Sequence, residues 1–368
     1  MPRRSKSEET LRDAIVISGW TWEARNVPER LALALAGTGA RVLYCENPVS
    51  VLRRPFGEIS EVASRVFRCR PAFLSHRFNQ FPRLAHVQAM VLEKQISRAA
   101  RQLALRNPVF FYPHGRYALL LAAAMKRRGS TLVHICMDYE LRDQIEHVQI
   151  SDLTLAIPQA AFAELRKSFG PKIRKLPQFA APADPDHDMS EPNELACSAS
   201  QSVPKPWLVY LGDVEGRVDL GLLERVLKQH PEWHFISFGN KDPLSLPNSH
   251  ILPWGSSQSW NHFLSKGAIG FIPYDCRDEK NMHCVPLKLF DYFARGLPVV
   301  STPIAYVLDY PDLVYIGGSA EELATAIGQA VREPEDNSCS AKRKSIAAEH
   351  SIENLSRVLA PLLADGEL

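Results

Sequence analysis

Residues 286–302 read PLKLFDYFARGLPVVST, and this stretch predicts a short helix that runs into a buried strand. Pro286 suits the first helical position, because the amide hydrogen that proline lacks would have no partner inside the helix there. Leu287 and Phe290 stand at helical spacing and predict the buried face of the helix. Gly296 favours the end of the helix, and the apolar residues that follow it predict the strand.

Two charged residues of this helix point to a ligand site. Lys288 and Asp291 are three positions apart and therefore share one face of the helix. A cation in the first turn, a carboxylate one turn later and the free amide groups of the helix start suit a nucleoside diphosphate and its ribose. A surface helix with a solvated ion pair explains the same spacing. The local pattern leaves both interpretations open.

Length and composition are those of a globular protein. The 368 residues are enough for two domains, with 45% hydrophobic and 23% charged residues. No run of about 18 apolar residues occurs, so no transmembrane helix is expected. The apolar residues 14–18 are too few for a signal-peptide core and predict a first strand. The seven cysteines are scattered, which predicts a reducing, cytoplasmic setting without disulfides or a metal site.

The small net charge hides a strong asymmetry between the two halves of the chain. Residues 1–180 carry 28 Lys and Arg against 15 Asp and Glu, whereas residues 181–368 carry 15 against 26. A basic half can attract an anionic membrane surface, nucleic acid or an anionic substrate. Attraction between the two halves explains the same asymmetry, and both explanations can hold at once.

Short apolar runs alternate with helical patterns twice along the chain, which predicts an α/β protein with two parallel sheets. The loop SGWTWEARN after the first predicted strand has one glycine and lacks the G-x-G-x-x-G fingerprint, so no nicotinamide cofactor is expected. Residues 180–206 hold five prolines and show no periodicity. The predicted organisation is an N-terminal domain at 1–180, a linker at 181–206, a second domain at 207–350 and a terminal helix at 351–368. That helix could pack back on the first domain.

Residues 49–83 interleave arginine with phenylalanine. This composition suits an anionic membrane interface or a polyanionic ligand. A solvated excursion whose aromatic rings enter the core explains it equally. The basic residues accompany no recognised nucleic-acid motif, so no nucleic-acid partner is expected.

In parallel sheets, ligands bind beyond the carboxyl ends of the strands. The polar and glycine residues that follow predicted strands are therefore the candidates for a site. In the first half they are Trp20, Arg25, Asn26, His114 and Asp138, and in the second half they are Gly212, Arg217, Gly239 and the loop up to Lys288.

This pattern resembles the GT-B-type glycosyltransferases, and among them the retaining family-4-like group. The segments that carry the resemblance are residues 13–47, FYPHGRYALLL, HICMDYE, WLVYLGDVEGRVDLGLLE, HFISFGN, AIGFIPY and PLKLFDYFARGLPVV. The Arg-Asn-x-Pro loop in residues 13–47 is typical of a branch that acts on cell-surface polysaccharides. The resemblance implies two Rossmann-like domains that face each other across a cleft. The first would bind the acceptor, and the second would bind the nucleotide-sugar donor.

The resemblance also implies roles for individual residues. Asp291 stands where the group has a glutamate that holds the ribose, and His283 replaces a second glutamate eight positions earlier. Arg217 and Lys288 would neutralise the donor diphosphate. The implied donor-binding set is Gly212, Arg217, Gly239, His283, Pro286, Leu287, Lys288 and Asp291.

In the first domain, His114 matches a histidine near the transferred sugar. Asp138 is a candidate for orienting the acceptor or acting as base, with a helix N-cap as its structural alternative. Trp20, Arg25 and Asn26 are candidates for contacts with the acceptor or its phosphate. No metal and no cofactor are expected, because the group that the chain resembles needs none.

The expected function is transfer of a sugar from a UDP- or GDP-linked donor to a lipid-linked or polysaccharide acceptor, with retention and without metal. The chain would be cytoplasmic and peripheral at the inner face of the cell membrane, with residues 49–83 on the anionic surface. Two alternatives remain: a nucleotide-sugar epimerase of the same architecture, and a non-catalytic GT-B-type binding module.

Overall fold

The computed structural model describes residues 11–22, 26–50, 58–180, 194–212, 214–239, 242–253, 257–334 and 337–364. Contacts within the chain divide it into two units. Unit 1 is Met1–Phe179 with Ile352–Leu368, and unit 2 is Ala180–Ser351. No described helix combines the length and the apolar character that crossing a lipid bilayer requires.

The strands of the described residues are β1 (Ala14–Ile17), β2 (Val42–Cys45), β3 (Val49–Ser50), β4 (Ser60–Ala63), β5 (Val66–Cys69), β6 (Ala72–Phe73), β7 (Val109–Pro113), β8 (Leu132–Cys136), β9 (Leu153–Ala156), β10 (Ile173–Lys175), β11 (Trp207–Tyr210), β12 (His234–Phe238), β13 (Ser249–Leu252), β14 (Ile269–Ile272), β15 (Val299–Ser301) and β16 (Val314–Ile316). The α-helices are α1 (Val27–Gly37), α2 (Pro82–Gln102), α3 (Arg116–Lys126), α4 (Leu141–Ile150), α5 (Gln159–Phe169), α6 (Glu194–Ser202), α7 (Leu220–Gln229), α8 (Ser257–Leu264), α9 (Glu279–Met282), α10 (Leu287–Ala294), α11 (Ala320–Val331), α12 (Ser338–Glu349) and α13 (Ile352–Leu363). Short 3-10 turns occur at His76–Gln80, Gly170–Lys172 and Ala305–Asp309.

Unit 1 is built on a sheet whose described strands follow the order β10-β9-β8-β7-β1-β2-β5-β4. The pairings are parallel apart from the antiparallel hairpin of β4 and β5. Strands such as β1 (AIVI) and β2 (VLYC) are apolar along their whole length and buried at every position. Continuous apolar strands are expected where helices cover both faces of a parallel sheet.

The C-terminal helix α13 belongs to unit 1, where it packs against α1. Leu355, Leu359 and Leu363 recur every fourth residue on its buried face. Gly37 permits the close approach, since a Cβ atom there would stand 2.4 Å from the hydroxyl of Ser356. A larger residue at position 37 would therefore push the two helices apart.

Unit 2 contains a second parallel sheet, with the described strands in the order β13-β12-β11-β14-β15-β16. Numbered within the unit, this is the order 3-2-1-4-5-6 of dinucleotide-binding folds. The order of the strands reverses between β11 and β14. Loops that leave these two strands diverge, which opens a crevice at the carboxyl edge of the sheet where ligands bind in such folds.

Part of the predicted linker is structured. Residues 181–193 lie outside the described residues, but Glu194–Ser202 forms helix α6, so for this part the prediction of a linker at 181–206 is wrong. The helix packs against α8, and Ser200 Oγ lies 2.8 Å from His262 Nε2. A helix of nine residues is marginal by itself in water, so the contact with α8 stabilises it.

Candidate functional site

The crevice between β11 and β14 begins at a glycine. Gly212 follows β11 with a φ of +143°, a conformation that strongly favours glycine. A Cβ atom at this position would stand 3.3 Å from the ammonium nitrogen of Lys288 and 3.4 Å from the ring of Tyr210. The loop after β11 therefore lies directly against the predicted donor-binding lysine, and a side chain at position 212 would crowd it.

Lys288 is enclosed by two tyrosines. Its Nζ donates a hydrogen bond of 2.9 Å to the hydroxyl of Tyr274 and lies 3.8 Å from the centre of the Tyr210 ring. Burial disfavours the charged ammonium, and the nearby Arg217 adds repulsion, so the pKa of Lys288 falls to about 7. A lysine whose pKa is near 7 is well suited to bind an anion in a crevice, because a bound anion would favour the fully protonated ammonium.

Arg217 places a second cation beside the same tyrosine. Its guanidinium lies 5.8 Å from the ring of Tyr274, and its Nη1 donates to Asn281 Oδ1 at 3.5 Å. The side-chain amide of Asn281 in turn donates to the Arg217 carbonyl, which fixes the loop. Two cations on one aromatic wall repel each other in the free protein, and a diphosphate between or beside them would relieve that repulsion.

Helix α10 contributes the other predicted donor-binding groups. Leu287 is its first residue and Pro286 its N-cap, one position earlier than the predicted proline at the first helical position. Pro286 offers no side-chain hydrogen bond to the start of this helix, whose first amide groups have no partner within the helix itself. Asp291 lies one turn after Lys288 and is 5% exposed. His283 follows the short helix α9 as its C-cap.

A buried tyrosine connects α10 to the glycine loop. The Tyr292 hydroxyl donates to the carbonyl of Val209 at 2.8 Å and accepts from the amide of Leu211 at 3.1 Å. Tyr292 therefore fixes the exit of β11 relative to the helix that carries Lys288. Gly239, the remaining predicted donor-binding glycine, ends β12 and donates its amide to Leu252 at 2.8 Å.

Unit 1 has its own reversal of strand order, between β1 and β7, and His114 follows β7 there. Its Nε2 lies 3.8 Å from a carboxylate oxygen of Glu140, and its Nδ1 is buried without a hydrogen-bond partner among the described residues. The next residue, Gly115, has a φ of +120° and donates its amide to His147 Nε2 at 3.1 Å. His147 therefore holds the turn that presents His114.

A second buried histidine supports the first. The rings of His134 and His147 stack with their centres 4.8 Å apart. His134 lies 2.7 Å from Gln144 Oε1 and 3.3 Å from the carbonyl of Tyr112. Burial lowers the pKa of His134 to about 3 and that of His147 to about 4, with mutual repulsion adding to the shift of His134. Both rings are therefore neutral at physiological pH, and His147 can accept the bond from Gly115.

The fold of the chain has counterparts among solved structures. An α,α-trehalose 6-phosphate synthase from Burkholderia multivorans superposes with a TM-score of 0.67 and 11% identity, over 95% of this chain and 97% of that one. The chain has the GT-B fold. The α/β class and the GT-B type predicted from the sequence are thereby confirmed, and at this identity the likeness establishes the fold alone.

Two further GT-B structures were solved with small molecules bound. The E. coli protein bound with UDP-2-fluoro glucose matches with a TM-score of 0.66 and 13% identity, over 96% of this chain and 99% of that one. A synthase from Burkholderia xenovorans in complex with glucose-6-phosphate matches with a TM-score of 0.63 and 13% identity, over 95% and 99%.

Sequence comparison adds one curated relative and no family model. The putative teichuronic acid biosynthesis glycosyltransferase TuaH of Bacillus subtilis is 28% identical over 104 residues. The match spans about a quarter of this chain and 26% of the relative's length. No protein-family model matches the chain.

The other site residues predicted in unit 1 differ in their exposure and contacts. Trp20 is 47% exposed in the loop after β1. Asn26 caps α1, since its Oδ1 accepts the amide of Glu29 at 3.0 Å. Arg25 lies outside the described residues. Asp138 follows β8 and is half-buried, but the N-cap of α4 is Glu140, so the alternative reading of Asp138 as a helix N-cap is wrong.

The stretch at 49–83 is more ordered than a solvated excursion. Residues 51–57 lie outside the described residues, and much of the rest forms the hairpin of β4 and β5. Arg70 pairs with the buried Glu46 at 2.6 Å, and Arg65 donates to the carbonyl of Gly39. Phe73 is buried in the core, whereas Phe81 is 56% exposed. Contact of the whole stretch with an anionic membrane surface stays a prediction. Several of its arginines already have partners within the protein.

Sequence reasoning missed the residues that hold the site in place. Tyr210, Tyr274 and Tyr292 appear in the sequence as ordinary strand or helix residues, and His134 and His147 as core histidines. Tyr274 follows a strand, so the rule that selected Gly212 could have selected it, whereas Tyr210 lies within its strand and the rule passes over it. Nothing local distinguishes Tyr292 from a core aromatic residue.

One cavity of unit 2 lies away from these residues. It has a volume of about 1010 Å³ and is lined by Pro206, Ile269 and Pro298, which stand at the amino ends of β11, β14 and β15. None of the described site residues of unit 2 lines it. Among the residues that the structure describes, no group of three or more His, Cys, Asp and Glu could hold a metal ion. Metal independence remains a prediction.

The stability of unit 1 is expected to fall as the pH drops from about 7 to about 5. His134 and His147 have folded pKa values of about 3 and about 4, below their ordinary value of 6.5. The unfolded chain therefore binds protons in this window and the folded chain does not, so stability present above pH 6.5 is lost as the pH falls toward the folded values. Two such groups imply a loss of about 4 kcal/mol, measurable by urea unfolding.

The double variant His134→Gln/His147→Gln serves as the control for this pH dependence. It is expected to unfold more easily at neutral pH and to show a flatter profile between the same two pH values. A wild-type profile that stays flat across the window would show that the two rings are not buried in neutral form.

Proposed function

We propose that the chain is a glycosyltransferase that takes a sugar from a nucleoside-diphosphate donor. The observation that carries this proposal is the pair of cations at the strand-order reversal of unit 2. Lys288 and Arg217 both lie beside Tyr274, at the start of α10. The GT-B fold and the glycosyltransferase name of the curated relative support the same activity.

The chemistry of sugar transfer explains why two cations would be needed. When the bond between the sugar and the diphosphate breaks, negative charge develops on the departing nucleoside diphosphate. Preorganised cations and amide groups stabilise such charge without reorganisation during the reaction. Lys288 and Arg217 are in place for this role, and Asp291 is one turn away, where a carboxylate can accept hydrogen bonds from ribose hydroxyls. This arrangement needs no metal, and we propose a metal-independent reaction with retention.

For the acceptor we propose a cell-surface polysaccharide or its lipid-linked precursor, bound through unit 1. The name of the curated relative, which refers to teichuronic acid, favours this class. His114 would contact the transferred sugar, with Asp138 orienting the acceptor. The excess of basic residues in residues 1–180 suits an anionic acceptor and a cytoplasmic position at the membrane surface. The names of the structural neighbours refer to trehalose-6-phosphate. A small sugar phosphate is therefore the alternative acceptor to test beside the lipid-linked one.

Calorimetric titration with UDP, GDP and uridine tests the donor site. Asp291→Asn is expected to weaken UDP and uridine alike by about tenfold, because a ribose contact is common to both, at a cost of about 1.4 kcal/mol. Lys288→Met is expected to weaken UDP and leave uridine unchanged. If GDP binds instead, guanosine replaces uridine in the comparison. No binding of any nucleotide would overturn the donor assignment.

Product analysis separates transfer from the alternative of epimerisation. The purified chain is incubated with a nucleotide sugar alone, and then with membrane extract that contains lipid-linked acceptors. Conversion of the donor sugar without acceptor would identify an epimerase. Turnover that requires the extract, and that persists in the presence of EDTA, supports metal-independent glycosyl transfer.

A further inference from the structure

Helix α2 leaves an apolar stripe uncovered on the surface of unit 1. Val87 is 47% and Met90 43% exposed, and Leu84 at the start of the helix is 39% exposed. Phe81, the residue before the helix, is 56% exposed. Large apolar side chains that recur on one helix face and remain open to solvent mark an interaction surface more often than isolated ones do.

Basic residues occupy the same face. Arg83, Lys94, Arg98 and Arg101 are exposed. Together with Val87 and Met90 they follow one another at intervals of three or four residues, which places them along a single stripe of the helix. We call this stripe the α2 outer face. At a rise of 1.5 Å per residue it extends over roughly 27 Å of helix.

No exposed carboxylate interrupts the α2 outer face. The acidic residue of α2, Glu93, is 4% exposed and pairs with Arg128 at 2.6 Å. The end of α3 adds a further cation, since the guanidinium of Arg127 lies 3.5 Å from the ring of His86 on α2. The exposed side of α2 therefore carries apolar and basic residues and no carboxylate.

We propose that the α2 outer face docks on an anionic lipid bilayer, with the helix lying in the plane of the interface. Apolar side chains between cations suit this occupant, because the aliphatic groups can enter the acyl boundary while Arg and Lys reach the head groups. A nucleic acid or soluble polyanion would engage the cations and gain nothing from Val87 and Met90. The role of docking, to bring a lipid-linked acceptor to the site, rests on the proposed function, but the docking itself does not.

The proposed lipid-binding face lies mainly C-terminal to residues 49–83, the stretch for which the sequence predicted a membrane interface. Within residues 49–83, Arg70 is held by Glu46, and Phe73 is buried. Only Phe81 and Arg83, at the end of that stretch, continue into the α2 outer face. Helix α2 is amphipathic, because one of its faces is buried in the core and the other carries the cations.

Co-sedimentation of the full chain with vesicles tests the proposal. Equimolar phosphatidylglycerol and phosphatidylcholine vesicles are compared with pure phosphatidylcholine at low and high salt. The wild type is expected to pellet with the anionic vesicles and to be released by salt. Val87→Gln/Met90→Gln is expected to lower the partition coefficient about tenfold at unchanged charge. Arg83→Gln/Lys94→Gln/Arg98→Gln is expected to lower it more, at about fivefold for each cation.

Helix α13 of the same unit offers a matched control. Arg357→Gln/Val358→Gln removes one exposed arginine and one exposed valine there and is expected to bind vesicles like the wild type. Failure of the wild type to pellet would overturn the proposal. So would a Val87→Gln/Met90→Gln variant that binds as well as the wild type, which would identify a general polyanion surface. UDP titration of each variant is independent, so failure of docking and failure of the donor site are told apart.

Discussion

Replacing Lys288 with methionine is expected to lower kcat/KM for sugar transfer by about two to three orders of magnitude, the usual loss when one preorganised group that faces developing charge is removed. Lys288 Nζ is held by Tyr274 and the Tyr210 ring, so it needs little reorganisation to meet the departing diphosphate. Methionine keeps an unbranched side chain of similar volume, and it removes the charge together with the hydrogen bond to Tyr274. Steady-state kinetics with a saturating acceptor measures the effect.

Two further variants show whether charge at this position is what matters. Lys228 is an exposed lysine of α7 that pairs with Glu224. Its replacement, Lys228→Met, is expected to leave kcat/KM unchanged. Lys288→Arg keeps a cation and is expected to retain more activity than Lys288→Met. Equal kcat/KM in wild type and Lys288→Met would place the diphosphate elsewhere and remove the main support for the donor site.

The pH dependence of donor binding provides a signature that packing defects would not reproduce. The pKa of Lys288 in the free protein is about 7. A diphosphate binds the ammonium form, so its affinity is expected to fall as the pH rises through about 7 in the wild type, with one proton taken up on binding. Arginine does not lose its proton in this range, so Lys288→Arg is expected to show no such fall.

The stretch at 286–302 predicted its helix and strand well because the information is local. Helical spacing, a proline at the start and a glycine at the end are properties of neighbouring residues, and α10 and β15 form where they indicate. The same spacing put Lys288 and Asp291 on one face. Whether that face is a site depends on β11 and β14, which a local pattern does not show. The strand order of unit 2 supplies that information.

The features that the sequence did not predict depend on contacts between distant residues. Tyr292 reaches the end of β11 across more than eighty positions, and His147 bonds to Gly115 across thirty-two. Helix α6 is too short to be stable by itself, and its contact with α8 stabilises it. The Phe residues of 49–83 look alike in the sequence, yet the fold buries Phe73 and exposes Phe81. In each case the environment of the residue depends on which helix or strand from elsewhere in the chain packs against it.

Substitution of Gly270 by alanine is expected to destabilise unit 2 by about 3 kcal/mol, the upper range for overpacking a core. Gly270 lies in β14 under α10, and a Cβ atom there would stand 2.4 Å from two ring atoms of Tyr292. The ring cannot move away freely, because its hydroxyl is bonded to Val209 and Leu211. The melting temperature is expected to drop by roughly 6–12 °C in a thermal scan.

Gly328, inside helix α11, provides the matched control. A Cβ atom there meets no neighbour closer than 3.8 Å, so Gly328→Ala is expected to stabilise the chain slightly through the better helix propensity of alanine. Because Tyr292 fixes the exit of β11, Gly270→Ala should also weaken UDP binding at temperatures where unit 2 remains folded, and Gly328→Ala should not. A Gly270→Ala chain as stable as wild type would mean that α10 shifts away from β14 at little cost. Unchanged UDP affinity in that chain would then show that the donor site does not depend on the contact between α10 and β14.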